Sequence, residues 1–178
     1  MKTVLRHILV TLILVVVVFL VLQTTLQSSI VIGRSMEPSF ENNQRLLVNK
    51  IAYKIHEPER GDVIIFHPRQ GLHTDYIKRI IALPGDTVEI KMGAVYVNGV
   101  RLEEPYIEDS PTYTFQEYKV PEDKYFVLGD NRNNSNDSHN GWLVLRENII
   151  GKVCLSTWPP SEWGLVPGYP LEEQLAQP

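Results

Sequence analysis

A single cysteine, Cys154, occurs in the 178 residues. That excludes an internal disulfide and any cysteine-based zinc cluster, so the fold must stand on its own core. A basic excess is missing as well. Seventeen Lys+Arg against 21 Asp+Glu leave a formal net charge of −4, and no nucleic-acid partner is expected, because the general electrostatic reason for one is gone. There is no internal repeat, and past residue 26 no stretch keeps a long 3.6-residue apolar pattern. Helices there are expected to be few and short. The longest gap concerns charge itself: no Asp, Glu, Lys or Arg lies between Arg6 and Arg34.

What fills that gap is apolar. Ile8 to Leu22 reads ILVTLILVVVVFLVL, interrupted only by Thr11. A bilayer core of about 30 Å needs about 20 helical residues, a length reached when Gln23 to Leu26 are counted. A soluble core helix does not fit a segment apolar on every face. A cleaved signal peptide and a retained anchor both do, but QTTLQSSIVIG offers no small-x-small site, so the anchor is the favoured reading. Lys2 and Arg6 precede the span, and the positive-inside rule keeps the N-terminus cytoplasmic with the rest across the membrane. A mature N-terminus near residue 28 would overturn this.

Beyond the anchor the composition is that of strands. Residues 45–48, 62–66, 76–83, 87–91, 94–97, 125–128 and 149–155 are rich in β-branched and aromatic residues and bounded by Gly, Pro, Asn and Asp. Asn98-Gly99 suits a type I′ hairpin, and Pro84-Gly85-Asp86 a turn. The expected architecture is mainly β: an anchor over residues 1–27, an antiparallel β domain over 28–160, and a loose Pro-rich acidic tail over 161–178. Residues 103–123 are read as a polar excursion.

Lys78 stands in a strand of otherwise apolar neighbours, with Tyr76, Ile80 and Ala82 on its face and Ile77, Ile81 and Leu83 opposite. Arg79 points the other way, so one of the two cations is expected to be desolvated. Arginine keeps its proton, whereas a buried lysine can become the neutral amine that activates a hydroxyl nucleophile. A lysine snorkelling at a strand edge is the plainer alternative. Taken singly, Ser35 in GRSMEP reads as a turn residue, and GRSME is not the Gly-x-Ser-x-Gly elbow because position 37 is Glu. GDNRNNSNDS alone reads as an Asn-rich turn.

In combination these segments resemble type I signal peptidases, membrane-bound serine proteases that remove signal peptides from exported proteins. Ser35-Met36-Glu37-Pro38 matches the family's Ser-Met-x-Pro, YIKRIIALPGD its lysine strand, GDNRNNSNDS its Gly-Asp-Asn-x-x-Asn-Ser-x-Asp-Ser loop, and GDVIIF the strand between them. The likeness runs from the anchor to about Trp158. It implies a signal-peptidase-like antiparallel β domain, Ser35 as nucleophile and Lys78 as general base. It also implies Ser135 holding the lysine amine, Asp137 fixing the loop with Ser138 beside it, and the Ser35 N–H meeting the oxyanion. Small substrate residues at −1 and −3 would enter shallow apolar pockets formed by Val31, Met36, Phe40, Tyr76 and Ile77. The implied partners are precursors carrying signal peptides and the lipid bilayer; no cofactor or metal is needed.

Three positions depart from the family. Gly33 stands where some members place an oxyanion-binding hydroxyl, so backbone donors would have to serve. Phe40 replaces the usual leucine and would narrow the −1 pocket. Asp137-Ser138-His139 replaces Asp-Ser-Arg, so His139 would give Asp137 a partial, pH-dependent partner. Competing readings are a hydrolase using His56, His67, His73 or His139 as base, a cytosolic Ser/Lys self-cleaving repressor, and a tethered non-catalytic β module. The second lacks support, since an anchor rather than a helix-turn-helix precedes Ser35.

Overall fold

The computed structural model describes residues 2–68, 74–169 and 171–175; His73, one of the candidate bases above, lies outside them. Helix α1 (Lys2–Thr25) takes up the apolar run, and its 24 residues rise about 36 Å at 1.5 Å each, enough to cross a bilayer. From Val4 to Leu22 its large apolar side chains are exposed on every face, as suits a helix whose surroundings are lipid rather than protein.

Strand β1 (Leu26–Ile30) follows α1 with no residue between. Leu26 already pairs with Asn49 of β2 (Arg45–Asn49), so the helix ends at Thr25 and residues 26 and 27, assigned above to the anchor, belong to the sheet. The remaining strands are β3 (Val63–Phe66), β4 (Tyr76–Ala82), β5 (Thr87–Lys91), β6 (Ala94–Val97), β7 (Val100–Arg101), β8 (Phe115–Lys119), β9 (Lys124–Leu128), β10 (Val144–Leu145), β11 (Ile149–Trp158) and β12 (Gly164–Leu165). One sheet runs β1-β2-β11-β3-β4-β9-β10 with β12 added to β11, and a second runs β7-β6-β5-β8; every pair is antiparallel. Helix α2 (Ala52–Ile55) is a single turn after β2.

Alternation along β3 sorts the core. Val63 and Ile65 join Val31, Met36, Phe40, Leu46, Val48 and Val153 on one side, while Ile64 and Phe66 join Tyr53, Ile80, Val127 and Val144 on the other, as a period-2 strand buried on both faces must. A third cluster, with Val88, Ile90, Val95, Val97 and Phe126, fills the smaller sheet.

Two expectations are corrected. The 103–123 excursion contains β8, which pairs with β5; its residues are mostly exposed, so no apolar alternation marked it. The tail is not loose where it is described. Gly164 and Leu165 pair with β11, and α3 (Leu171–Leu175) docks on the domain. Leu171 is fully buried, Arg60 bridges Glu172 and Asp86, and Gln174 exchanges two hydrogen bonds with the Glu103 backbone. Leu171→Ala should therefore cost about 2–4 kcal/mol in chemical denaturation, whereas a loose tail would give no change.

Candidate active site

The turn that carries Ser35 is nailed down by what surrounds it. Met36 and Phe40 sink into the core, 0% and 3% exposed, and the Phe40 N–H donates to the Met36 carbonyl at 2.9 Å. On the other side, the Asn131 N–H donates to the Ser35 carbonyl at 3.1 Å, and the Asn131 side-chain amide donates to the Arg34 carbonyl at 3.1 Å. Ser35 Oγ is thereby left facing β4, where Lys78 Nζ donates to it at 2.7 Å and to the Ile77 carbonyl at 2.8 Å.

Lys78 is 4% exposed and Arg79 1%, so both cations of the strand are desolvated, not one as expected. Chemistry separates them. Arg79 stays charged, held by the Asp130 carboxylate at 2.9 and 2.6 Å and by the Gly61 carbonyl at 2.9 Å; its guanidinium lies over the rings of Tyr106 and Tyr169, 4.1 and 5.0 Å from their centroids. Among the described residues no carboxylate is bonded to Lys78. Burial pushes its ammonium down to about 8, with Asp137 and Asp130 pulling the other way.

The loop after β9 frames the pair. Gly129 passes so close that a Cβ there would collide with the Ser135 hydroxyl and the Ser35 carbonyl, which only glycine permits. Asp137, fully buried, accepts from the Gly129 N–H at 2.9 Å through one oxygen. Its other oxygen meets His139 Nδ1 at 2.6 Å. Asp137 thus bonds to both ends of its own loop, and Ser138 accepts from the Val127 N–H at 3.0 Å. Ser135 is placed differently from expectation: its hydroxyl is buried without a hydrogen-bond partner among the described residues, and the lysine amine is held by Ser35 and Ile77 instead. Two further anchors escaped the sequence reading. Arg132 donates to the Gly129 carbonyl at 3.1 Å and to both oxygens of Glu104 at 2.7 and 2.6 Å; a buried Arg–Glu pair 28 residues apart leaves no local signal.

A cavity of about 630 Å³ opens beside Ser35 and Lys78, bounded by residues 28–32 on one side and 74–78 on the other. Val31, Tyr76 and Ile77 line it, together with Ile30, Ile32, Leu46, Ile65 and Asn136. Met36 and Phe40 do not; they lie in the core beneath, so Phe40 narrows no pocket wall directly. Gly33 has φ +94°, and its N–H is given to Asn42 Oδ1 at 2.9 Å. A hydroxyl-bearing residue there would be strained, although the space is open. Among the described residues no histidine bonds Ser35: His56 meets the Glu57 carbonyl, His67 meets Asp75, and His139 meets Asp137.

The signature described as Signal peptidase, peptidase S26 matches residues 4–158, a span that includes Ser35, Lys78 and the Gly129–Ser138 loop. The chain belongs to the signal peptidase family. Among its relatives, the "Signal peptidase I" of Leptolyngbya laminosa is 47% identical over 139 residues, 74% of this chain and 68% of that one. "Signal peptidase I P" of Bacillus subtilis subsp. natto is 40% identical over 159 residues, 83% and 85% of the two chains. With "Probable signal peptidase I-2" of Synechocystis sp. the identity is 47% over 137 residues, which span 74% of this chain and 63% of that relative. A crystal structure of a signal peptidase I from Enterococcus faecalis is 36% identical and superposes over 53% of this chain and 95% of that one, with a TM-score of 0.45. Signal peptidases of this family are serine peptidases, and the fold here is mainly antiparallel β with one apolar N-terminal helix.

Proposed function

We propose that this signal peptidase family member removes N-terminal signal peptides from exported precursors, with Ser35 as nucleophile and Lys78 as general base. The observation that carries the reading is the 2.7 Å contact between Lys78 Nζ and Ser35 Oγ in a pocket that disfavours the charged amine. In its neutral state Lys78 takes the Ser35 proton as Oγ attacks the carbonyl carbon of residue −1, and the lysine then gives that proton to the leaving amine of residue +1. A water deprotonated by the same lysine hydrolyses the ester. The Ser35 N–H, without a hydrogen bond among the described residues, is the donor for the oxyanion.

The substrate binds as an added strand. β9 pairs with β4 only from Arg79 onward, which leaves the edge at Tyr76–Lys78 open toward the cavity, and β1 offers the facing edge. Side chains −1 and −3 share one face of such a strand and meet Val31, Ile77, Leu46 and Ile65, a surface that suits small residues. Ser135 and Asp137 support the lysine by packing and by fastening the loop. Residues from Leu26 onward are on the far side of the membrane from the N-terminus, as Lys2 and Arg6 direct.

The test is cleavage of a purified precursor with an Ala-x-Ala site, in detergent, by wild type, Ser35→Ala and Lys78→Ala. Wild type should cut after the −1 alanine and both variants should be inert; a variant that still cuts overturns the assignment. Because the base must be neutral, wild-type kcat should climb about tenfold per pH unit below the lysine's midpoint near 8 and level off above it. A profile flat from pH 6 to 9 would exclude Lys78.

A further inference from the structure

The Asp137–His139 contact does more than replace a missing salt bridge. His139 Nδ1 lies 2.6 Å from Asp137 Oδ1, and the His139 N–H approaches the same oxygen at 3.3 Å. The imidazole is held from above by Tyr113, stacked at 4.1 Å between centroids with 21° between planes. The opposite carboxylate oxygen is committed to Gly129 N–H, and Gly129 is the residue wedged between the Ser35 carbonyl and the Ser135 hydroxyl. A displacement of the imidazole therefore reaches the nucleophile through two hydrogen bonds and one close backbone contact.

We propose that His139 is a positioning residue that acts through Asp137. It fixes the loop against the Ser35–Lys78 pair, and the side chain bonded to Asp137 at this position governs how strongly that carboxylate acts on Lys78. The inference rests on the Ser/Lys reading. The physical basis is Coulombic. A buried carboxylate attracts the lysine's proton, and a cation bonded to that carboxylate cancels the attraction, whereas a neutral partner does not. The charged and titratable groups around the pair are Lys78 on β4, Asp130 held by Arg79, Tyr113 across the ring, and the Arg132–Glu104 pair that faces Tyr113. Arg79–Asp130 and Arg132–Glu104 are internally neutralised. Asp137 has no basic side chain bonded to it other than His139 among the described residues.

The experiment compares a fixed cation with a neutral partner at position 139. His139→Arg and His139→Gln are assayed with wild type over pH 5.5–9.5 on the Ala-x-Ala precursor, using the full chain in detergent. The rising limb of kcat for His139→Arg should lie at lower pH than that of His139→Gln, by on the order of 0.5–1 pH unit. A purely structural role would change plateaus and melting temperatures but leave the two midpoints superposed, and superposed midpoints overturn the proposal. If either variant loses turnover, the pH dependence of Lys78 acylation by an activated ester, which transfers its acyl group to the neutral amine and releases its alcohol leaving group, read by mass spectrometry, supplies the same midpoints. That second readout also separates this proposal from the function itself. Wild type that cuts no precursor sinks the peptidase reading, while separated acylation midpoints would still uphold the link from His139 to Lys78.

Discussion

Lys78→Met should abolish precursor cleavage, by about a thousandfold or more, and yet yield a domain that melts several degrees higher at pH 7. The loss follows from removing the only described side-chain nitrogen bonded to Ser35 Oγ. The gain follows from linkage. Burial lowers the folded-state lysine from 10.5 to about 8, so between those values the unfolded chain binds more protons than the folded one and stability rises with pH. Below pH 8 the lysine is charged in both states, and the folded state bears the full desolvation cost. At about 1.4 kcal/mol per pH unit this is about 3 kcal/mol, and methionine, similar in length and uncharged, removes it. Thermal melting of wild type and Lys78→Met at pH 7 and pH 10.5 checks the argument: the gap should narrow at the higher pH. An equal gap at both would mean that the lysine is solvated in the folded state.

The opposite result is expected on the other face of the same strand. Asp130→Asn should destabilise the domain by about 3–5 kcal/mol, because it leaves the Arg79 guanidinium buried without its counter-charge. Arginine cannot answer by releasing its proton. Activity should fall with stability, since Asn131, next along the chain, bonds to the Ser35 and Arg34 carbonyls. The double change Arg79→Met with Asp130→Leu should recover a large part of the loss. Urea denaturation of wild type and the two variants decides; a cost under about 1 kcal/mol for Asp130→Asn would mean that water reaches the pair.

These two neighbours also mark where sequence reasoning succeeds. A lysine and an arginine inside an apolar strand announce buried charge, and period-2 alternation sends them to opposite faces. The sequence could not tell that both would be buried, because the partner that accommodates Arg79 lies 51 residues away in Asp130, and its aromatic cover includes Tyr169 from the tail. The central strands were legible for the same reason that they are stable: both faces are packed. By contrast, Leu26–Ile30 contains Gln27, Ser28 and Ser29 and follows the apolar run directly. It is a strand because β2 presents a paired edge, not because of its own pattern. The Ser-Met-x-Pro turn and the Asn-rich loop were legible only as a combination, and the split of the pocket residues into lining (Val31, Tyr76, Ile77) and floor (Met36, Phe40) required the third dimension.

The junction at Thr25–Leu26 bears on where this molecule works. With no linker between helix and sheet, and with Ser35 ten residues past the end of α1, the nucleophile cannot be paid out on a tether. On the proposed assignment it would work like a blade bolted to a fixed post: the cut would be set at one height, and a substrate would be measured by how far its own span carries the scissile bond to that height.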